Sequence, residues 1–294
     1  MWSGFSLIKI YNLRKEHNMW LWILAAIVLI ALFALVDREI YFYEGTHLSP
    51  RIQAWLYDRW AKRYDIGKGE SQKQDAEFLA KPLLSALKGA PAPMILDVAT
   101  GTGRLPFALT READFSGSVI AVDISTGMLS KAAEKLEDSK EAVSLLQYET
   151  FPLPFPDQSF DAVACLEALE VMPEMDTPLA ECQRLLRPGG ILLTSRGTEA
   201  SGRRAKVVDA REFTRRLNNA GFIDVEITPW WRVFDRVFAR KPGGLVPASI
   251  KPLSDILTCS NCGQVGMLAQ PLSFECKNCG KTLSVSDSGV VQYS

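Results

Sequence analysis

Ile95-Leu96-Asp97-Val98-Ala99-Thr100-Gly101-Thr102-Gly103-Arg104 joins an apolar run to an acid and two glycines spaced two apart. Glycine is required where the backbone takes φ > 0 or comes within contact distance of a ligand. A buried strand, such a turn and a following helix form a nucleotide site at the carboxyl edge of a parallel sheet. Twenty residues after Gly103, the run Val119-Ile120-Ala121-Val122 ends in Asp123, followed by Ile124. A carboxylate there can accept hydrogen bonds from both hydroxyls of a ribose. A dinucleotide fold asks for G-x-G-x-x-G, but Pro106 stands where the third glycine belongs. A second constellation lies near the C-terminus. Cys259-x-x-Cys262 and Cys276-x-x-Cys279 are separated by thirteen residues. Each CxxC turn points two thiolates at one metal, and two such turns close a structural zinc site. A redox pair needs only one CxxC, and a disulfide staple needs an oxidising compartment.

The elements that must position these residues follow from the patterning. From Met94 onward strand-like and helix-like segments alternate, which predicts a doubly wound α/β sheet. Strands are expected at 94–98, 118–122, 143–147, 160–165 and 190–195, then near 223–229 and 233–239. A helix is expected over Arg211–Ala220, and helix-spaced apolar residues between Asp75 and Leu87 should cover one sheet face. Ahead of this domain, Met19 to Val36 carries no charge. As a helix it spans about 27 Å at ~1.5 Å per residue, enough for a bilayer core. Trp20, Trp22, Tyr41, Phe42 and Tyr43 flank it where aromatic belts form. A cleaved signal peptide is the rival reading, though its apolar region is usually shorter. The chain thus divides into a tail (1–18), a transmembrane helix (19–36), a juxtamembrane linker with lid helices (37–92), the sheet domain (93–241), a linker (242–252) and a zinc ribbon (253–294). With 33 basic and 34 acidic residues, net charge argues for neither a polyanion partner nor disorder.

The acid-x-x-x-Gly-x-Gly turn at Asp97–Gly103 closely resembles motif I of class I S-adenosylmethionine-dependent methyltransferases. Three further stretches resemble the ubiquinone/menaquinone-type, methyltransferase type 11-like branch: Tyr57-Asp58-Arg59-Trp60-Ala61-Lys62-Arg63-Tyr64-Asp65, then Glu149-Thr150-Phe151-Pro152-Leu153-Pro154-Phe155 with Ser159-Phe160-Asp161, then Leu185-Leu186-Arg187-Pro188-Gly189-Gly190. The resemblance covers roughly Tyr57 to Lys241 and implies a seven-stranded, mostly parallel sheet holding S-adenosylmethionine. It implies that Asp97, Ala99, Thr100, Gly101, Gly103, Asp123 and Ile124 surround that cofactor and that Tyr64 belongs to a lid. It places Glu149 and Thr150 on the adenine, although glutamate replaces the usual aspartate. The end of the fourth strand, at Cys165, would face the methyl group, and Glu167 and Glu170 could orient or deprotonate a nucleophile. Cys165 and Cys182 also fit as small core residues. The tail from Leu253 resembles the small zinc-ribbon proteins that activate RNA and protein methyltransferases, here acting in cis.

These features predict a membrane-anchored methyltransferase acting on a lipid, quinone-like or other small amphiphilic acceptor, with S-adenosylmethionine as donor and a structural Zn²⁺. An RNA or protein methyltransferase using the ribbon for recognition and a non-catalytic cofactor-binding scaffold are the alternatives. The ribbon's balanced charges weaken the case for nucleic acid. The two histidines, His17 and His47, both precede the sheet domain, so a base, if needed, is a carboxylate or tyrosine. The stretch from Gly202 to Lys241 is basic and could meet anionic headgroups or an anionic substrate. Residues flanking the apolar run do not settle its orientation, but the methyl donor and reduced thiolates belong inside the cell, so the catalytic domain is expected to face the cytoplasm.

Overall fold

In a computed structural model, residues 4–201, 207–246 and 249–293 are described, with side chains from Met19 onward. Arg203, Arg204 and Lys206 of the basic stretch lie outside the described residues. The first helix, α1 (Gly4–Asp37), takes in most of the expected tail as well as the apolar run. No proline interrupts it. From Met19 to Val36 every side chain is exposed, and Met19–Phe42 is long and apolar enough to be a candidate membrane span or a signal sequence. A π-helical turn, Arg38–Phe42, leads to α2 (Pro50–Gln72), which starts with proline in its first turn. A second π-helical turn, Ala76–Ala80, runs into α3 (Lys81–Ala86).

The core alternates as the patterning predicts: β1 (Met94–Val98), α4 (Arg104–Thr110), β2 (Ser118–Asp123), α5 (Thr126–Lys135), β3 (Val143–Gln147), β4 (Phe160–Cys165), α6 (Asp176–Leu185), β5 (Leu186–Gly197), α7 (Ala210–Asn219), β6 (Ile223–Trp231) and β7 (Phe234–Arg240). β1 is buried along its whole length, as a central parallel strand requires. β3, β2, β1, β4 and β5 are parallel neighbours, and β7 enters antiparallel between β5 and β6. Asp161 ties the amino edge together: its carboxylate accepts from the Met94 amide at 2.8 Å and from Arg187 Nη1 at 2.7 Å.

Seven strands were expected, but the described sheet has eleven, in the order β6-β7-β5-β4-β1-β2-β3-β11-β10-β9-β8. The additional ones are β8 (Leu268–Gln270), β9 (Ser273–Glu275), β10 (Thr282–Val285) and β11 (Val290–Gln292), all from the ribbon, which also holds the short α8 (Leu253–Ile256). β11 pairs in parallel with β3, Val290 opposite Leu145 and Gln292 opposite Gln147. The described parts of the connection, 242–246 and 249–252, lie against the domain rather than free of it. Lys241 exchanges backbone hydrogen bonds with Gly189 and Gly190, and the Lys251 amide reaches Met94 Sδ at 3.4 Å. Leu253, Ile256, Leu257, Met267, Leu283 and Val291 share one apolar core with Leu146, Leu153, Phe155 and Phe160. The ribbon therefore covers what would be the open β3 edge of a seven-stranded sheet.

Candidate functional site

At the carboxyl edge of the sheet, the β1–α4 turn holds Ala99 (φ 55), Gly101 (φ 56) and Gly103 (φ 75) in the left-handed region. This geometry is fixed by two acids. Asp97 accepts from Thr100 Oγ1 at 2.5 Å. Asp123 accepts from the Gly101 amide at 2.8 Å and the Ser125 amide at 2.9 Å. Burial pushes Asp97 up to about 7 and Asp123 up to about 6. Both are thus buried carboxyls with no ion-pair partner among the described residues, the condition in which a cation or hydroxyl donor is bound well.

Above this edge lies a cavity of about 400 Å³, within the range of small-molecule sites. Ala99, Gly101, Asp123, Ile124, Glu149 and Thr150 line one part of it, together with Tyr64 and Glu167. Leu48, Pro50, Val171, Met172, Pro173 and Pro178 line another, apolar part. Asp97 and Thr100 open instead onto an adjoining smaller recess, which shares Tyr64, Ala99, Gly101, Leu166 and Glu167 with the main cavity.

Helix α2 roofs the cavity. Its Asp58 accepts from Ser125 Oγ at 2.6 Å and the Gly127 amide at 2.8 Å, at the start of α5. Asp65 meets Lys135 Nζ at 2.7 Å and Thr102 Oγ1 at 2.6 Å. Gln53 Nε2 donates to the Val171 carbonyl at 2.9 Å, which also accepts from Thr46 Oγ1. Tyr57 donates to Glu44 Oε2 at 2.8 Å. Burial first, then Glu44, keeps the Tyr57 phenol protonated. Burial likewise pushes Tyr64 up to about 12.

The two glutamates after β4 occupy different surroundings. Glu167, at φ 52, is clamped by Lys68 Nζ and by Arg104 Nη1, the latter at 2.5 Å. Burial opposes its charge, but Lys68 and Arg104 outweigh burial and hold it below the usual carboxylate range. It lines the cavity as a charged, oriented group, poorly suited to take a proton. Glu170, expected beside the reacting centre, is turned into the protein at 7% exposure and is not among the cavity-lining residues. Its Oε1 lacks a hydrogen-bond partner among the described residues, and burial pushes it up to about 7. Cys165 is also buried beneath the cavity rather than lining it. Gly103 serves packing: a Cβ there would lie 2.9 Å from Leu136 Cδ1 and 3.1 Å from Ala132 Cβ.

Sequence reasoning missed Asp58, Asp65, Lys68, Arg104 and Gln53. Asp58 and Asp65 stood inside a quoted motif, but only the docking of α2 on α5 gives them partners. Among the described residues of the basic stretch several are paired within the domain: Arg215 and Arg216 with Glu212, Arg216 also with Asp176, and Lys241 with the Gln183 and Leu186 carbonyls.

In the ribbon, Cys259, Cys262, Cys276 and Cys279 present sulfurs all within 4.8 Å of one another, a cluster able to hold a metal ion. The Cys259–Cys279 and Cys262–Cys276 sulfur pairs are each 3.6 Å apart. Four sulfurs at ~2.3 Å from a tetrahedral zinc would be separated by about 3.8 Å.

Residues 96–194 match the sequence model of a methyltransferase domain. The chain is 34% identical over 142 residues to a demethylmenaquinone methyltransferase of Symbiobacterium thermophilum, covering 46% of this chain and 55% of the relative. It is 40% identical over 143 residues to the ubiquinone/menaquinone biosynthesis C-methyltransferase UbiE of Hahella chejuensis, covering 48% of this chain and 57% of the relative. The chain thus spans little more than half the length of these curated relatives. Among solved structures, a SAM-dependent methyltransferase from Aquifex aeolicus superposes with a TM-score of 0.52 at 21% identity, over 62% of this chain and 97% of the other. Residues 96–194 therefore match a methyltransferase domain, and the chain shares the Rossmann-like fold of the Aquifex aeolicus structure.

Proposed function

We propose that this protein transfers a methyl group from S-adenosylmethionine to a small lipophilic acceptor, with the acceptor bound in the apolar part of the cavity. One observation carries the reading: a single cavity joins Gly101 and Asp123 to the apolar wall of Leu48, Pro50, Val171 and Met172. The donor set fits the cofactor. Asp123 would hold the ribose hydroxyls, Gly101 and Ala99 would give the backbone close approach, and Glu149 and Thr150, which line the same cavity, would meet the adenine edge. Asp97, in the adjoining recess, offers a carboxylate to the ammonium of the amino-acid end. When bound, the cofactor supplies a methyl group on a sulfonium, a good leaving group. The chain's own part is then to orient and to exclude water. Tyr64 and α2 close the roof, and Glu167, fixed by Lys68 and Arg104, orients a polar group of the acceptor rather than deprotonating it. The relatives named for demethylmenaquinone and for ubiquinone/menaquinone support a quinone-like acceptor.

α1 serves as a single membrane anchor with the catalytic domain in the cytoplasm, where the methyl donor is made. The four cysteines hold one structural zinc, and the ribbon is a fixed module of the enzyme rather than a nucleic-acid reader. Calorimetry with S-adenosylmethionine and its demethylated product tests the cofactor assignment. Asp123→Ala should weaken binding by about 1.5–3 kcal/mol, the range for hydrogen bonds to a charged group. Unchanged affinity would remove Asp123 from the ribose. Mass spectrometry of membrane lipid extracts incubated with enzyme and labelled donor tests the acceptor class, and label found only in protein or RNA would overturn it.

A further inference from the structure

The surface of α2 that faces away from the cavity has a composition that roofing alone does not require. Ile52, Trp55, Arg59, Lys62 and Ile66 follow one another at spacings of three, four, three and four, so they form one stripe along the helix. Arg51 and Arg63 flank it. All seven are exposed, with Trp55 at 54% and Ile66 at 82%, unusual for side chains of that size and hydrophobicity. Arg59 lies over the Trp55 ring at 5.2 Å. Among the described residues of α2 from Pro50 to Gly67, the exposed ones include four bases and no acid. The helix does contain two acids in this span, Asp58 and Asp65, but both are engaged with α5 and the β1–α4 turn. Charge is thus sorted across the helix, acids toward the domain and bases outward.

Arg51 lies 4.0 Å from Glu149, and past the end of the stripe Glu70 pairs with Lys73; the remaining bases, with Trp and Ile interleaved on one face, are what an interfacial helix presents to a lipid surface. The aromatic ring sits at headgroup level and the cations meet anionic headgroups. Position in the chain agrees. α2 begins at Pro50, thirteen residues after α1 ends at Asp37. Leu48 and Pro50, the exposed residues just before Arg51, also line the apolar part of the cavity.

We propose that the outward face of α2 docks on an anionic bilayer surface, setting the cavity mouth at Leu48 and Pro50 against the lipid from which an apolar acceptor enters. The proposal deepens the membrane reading of α1 but stands on separate residues, so the two can fail separately. The full chain is placed in nanodiscs made with bromine-labelled acyl chains, either of phosphatidylcholine alone or of an equimolar mixture with phosphatidylglycerol. Tryptophan fluorescence is then compared between the wild type, Trp55→Phe, and a Trp20→Phe/Trp22→Phe variant.

Trp55 is expected to be quenched in the anionic discs and much less in the neutral ones. That quenching should be lost in high salt and in the triple variant Arg59→Glu/Lys62→Glu/Arg63→Glu. Retention of cofactor binding by the triple variant checks that it is folded. Quenching of Trp20 and Trp22 with Trp55 unquenched in both lipids would overturn the docking of α2, leave α1 as an anchor, and make an acidic protein the better partner for this face. Quenching of Trp55 alone would support the docking and remove the anchor. Quenching of Trp55 that persists unchanged in the triple variant would overturn the electrostatic basis.

Discussion

Two additions cover the sheet domain, and they are held by different physics. The ribbon is joined by a parallel backbone ladder between β11 and β3 and by a shared apolar core. Helix α2 contributes only Leu56 and Ala61 among hydrophobics to the buried interior. Its remaining hold is a set of polar latches: Asp58 on Ser125 and Gly127, Asp65 on Lys135 and Thr102, Lys68 on Glu167, and Gln53 on the Val171 carbonyl. Polar contacts of this kind contribute about 0.5–3 kcal/mol each, most for those to a charged group, and can be exchanged for water, whereas a buried apolar seam cannot. By this measure the ribbon is the more firmly seated of the two and the roof the more readily displaced. That division suits a site that must admit an acceptor while keeping its cofactor edge rigid.

The largest test of this contrast disrupts the zinc site proposed for the ribbon. Cys276→Ser should abolish zinc binding and unfold the ribbon, because in so small a module metal binding and folding are one free energy, of about 10–16 kcal/mol in zinc-finger peptides. The damage should reach the cofactor pocket. The Thr258 amide donates to the Pro154 carbonyl at 2.8 Å, and Tyr293 stacks edge-on against Tyr148 at 5.0 Å, so the ribbon braces the loop carrying Glu149 and Thr150. Elemental analysis, thermal unfolding and calorimetry on the same preparation check this. A metal-free variant that melts and binds cofactor as the wild type does would make the ribbon an ornament, and the comparison would collapse.

Much of the fixed part was legible in the sequence, and little of the movable part. β1 and β2 announce themselves as unbroken apolar runs because a central parallel strand is buried on both faces. The four cysteines announce one cluster by spacing alone, and their sulfurs do gather within 4.8 Å of one another. That β11 would pair with β3 was not readable, since Val290-Val291 is too short and too ordinary to name its partner. The latches of α2 were hidden for a related reason. Asp58, Asp65 and Lys68 are common residues on a helix surface, and only their three-dimensional partners separate them from solvated charge. Glu167 shows the limit most clearly. Its position after β4 made it a candidate base, but Arg104, sixty-three positions away, and Lys68 fix it as an anion.

A second, smaller effect separates the cofactor edge from the latches by pH. Burial raises Asp97 to about 7 and Asp123 to about 6. The native state therefore binds more protons than the unfolded state between the ordinary carboxylate range and those values. This contribution to stability is complete at low pH and is lost as pH rises through 6 and 7. Acidifying the ligand-free protein from pH 8 to 5 should raise its unfolding free energy, by on the order of 4 kcal/mol from these two groups at about 1.4 kcal/mol per unit, and Glu170, also raised to about 7, adds in the same direction. Glu167 runs the other way: its pKa is depressed, so its contribution is lost only below the usual carboxylate range and leaves this window clear. Cofactor affinity should fall over the same acidification, because Asp97 must be ionised to accept an ammonium. Urea titrations and calorimetry at both pH values, with Asp97→Asn as the flattened control, provide the measurement. A stability that rises with pH across this window would contradict the assignment.

The smallest expected effect is the most selective. Gly127 lies in the first turn of α5, and a Cβ there would come within 2.9 Å of the Asp58 Cα and 3.3 Å of its Cβ. The obstacle is the backbone of α2, so Gly127→Ala must push the roof outward by a few tenths of an ångström. Alanine is also the better helix former by about 1 kcal/mol, which offsets the clash in global stability. The variant should therefore unfold near the wild-type midpoint while α2 exchanges its amide hydrogens faster and cofactor binds several-fold more weakly. Gly103→Ala provides the contrast. At φ 75, with Leu136 Cδ1 at 2.9 Å, it strains the fixed turn by about 1–2 kcal/mol and should lower global stability without selectively loosening α2. Hydrogen exchange resolved by segment distinguishes the two. If Gly127→Ala instead lowers protection across the whole domain, α2 is as firmly built in as the ribbon, and the roof does not open on its own.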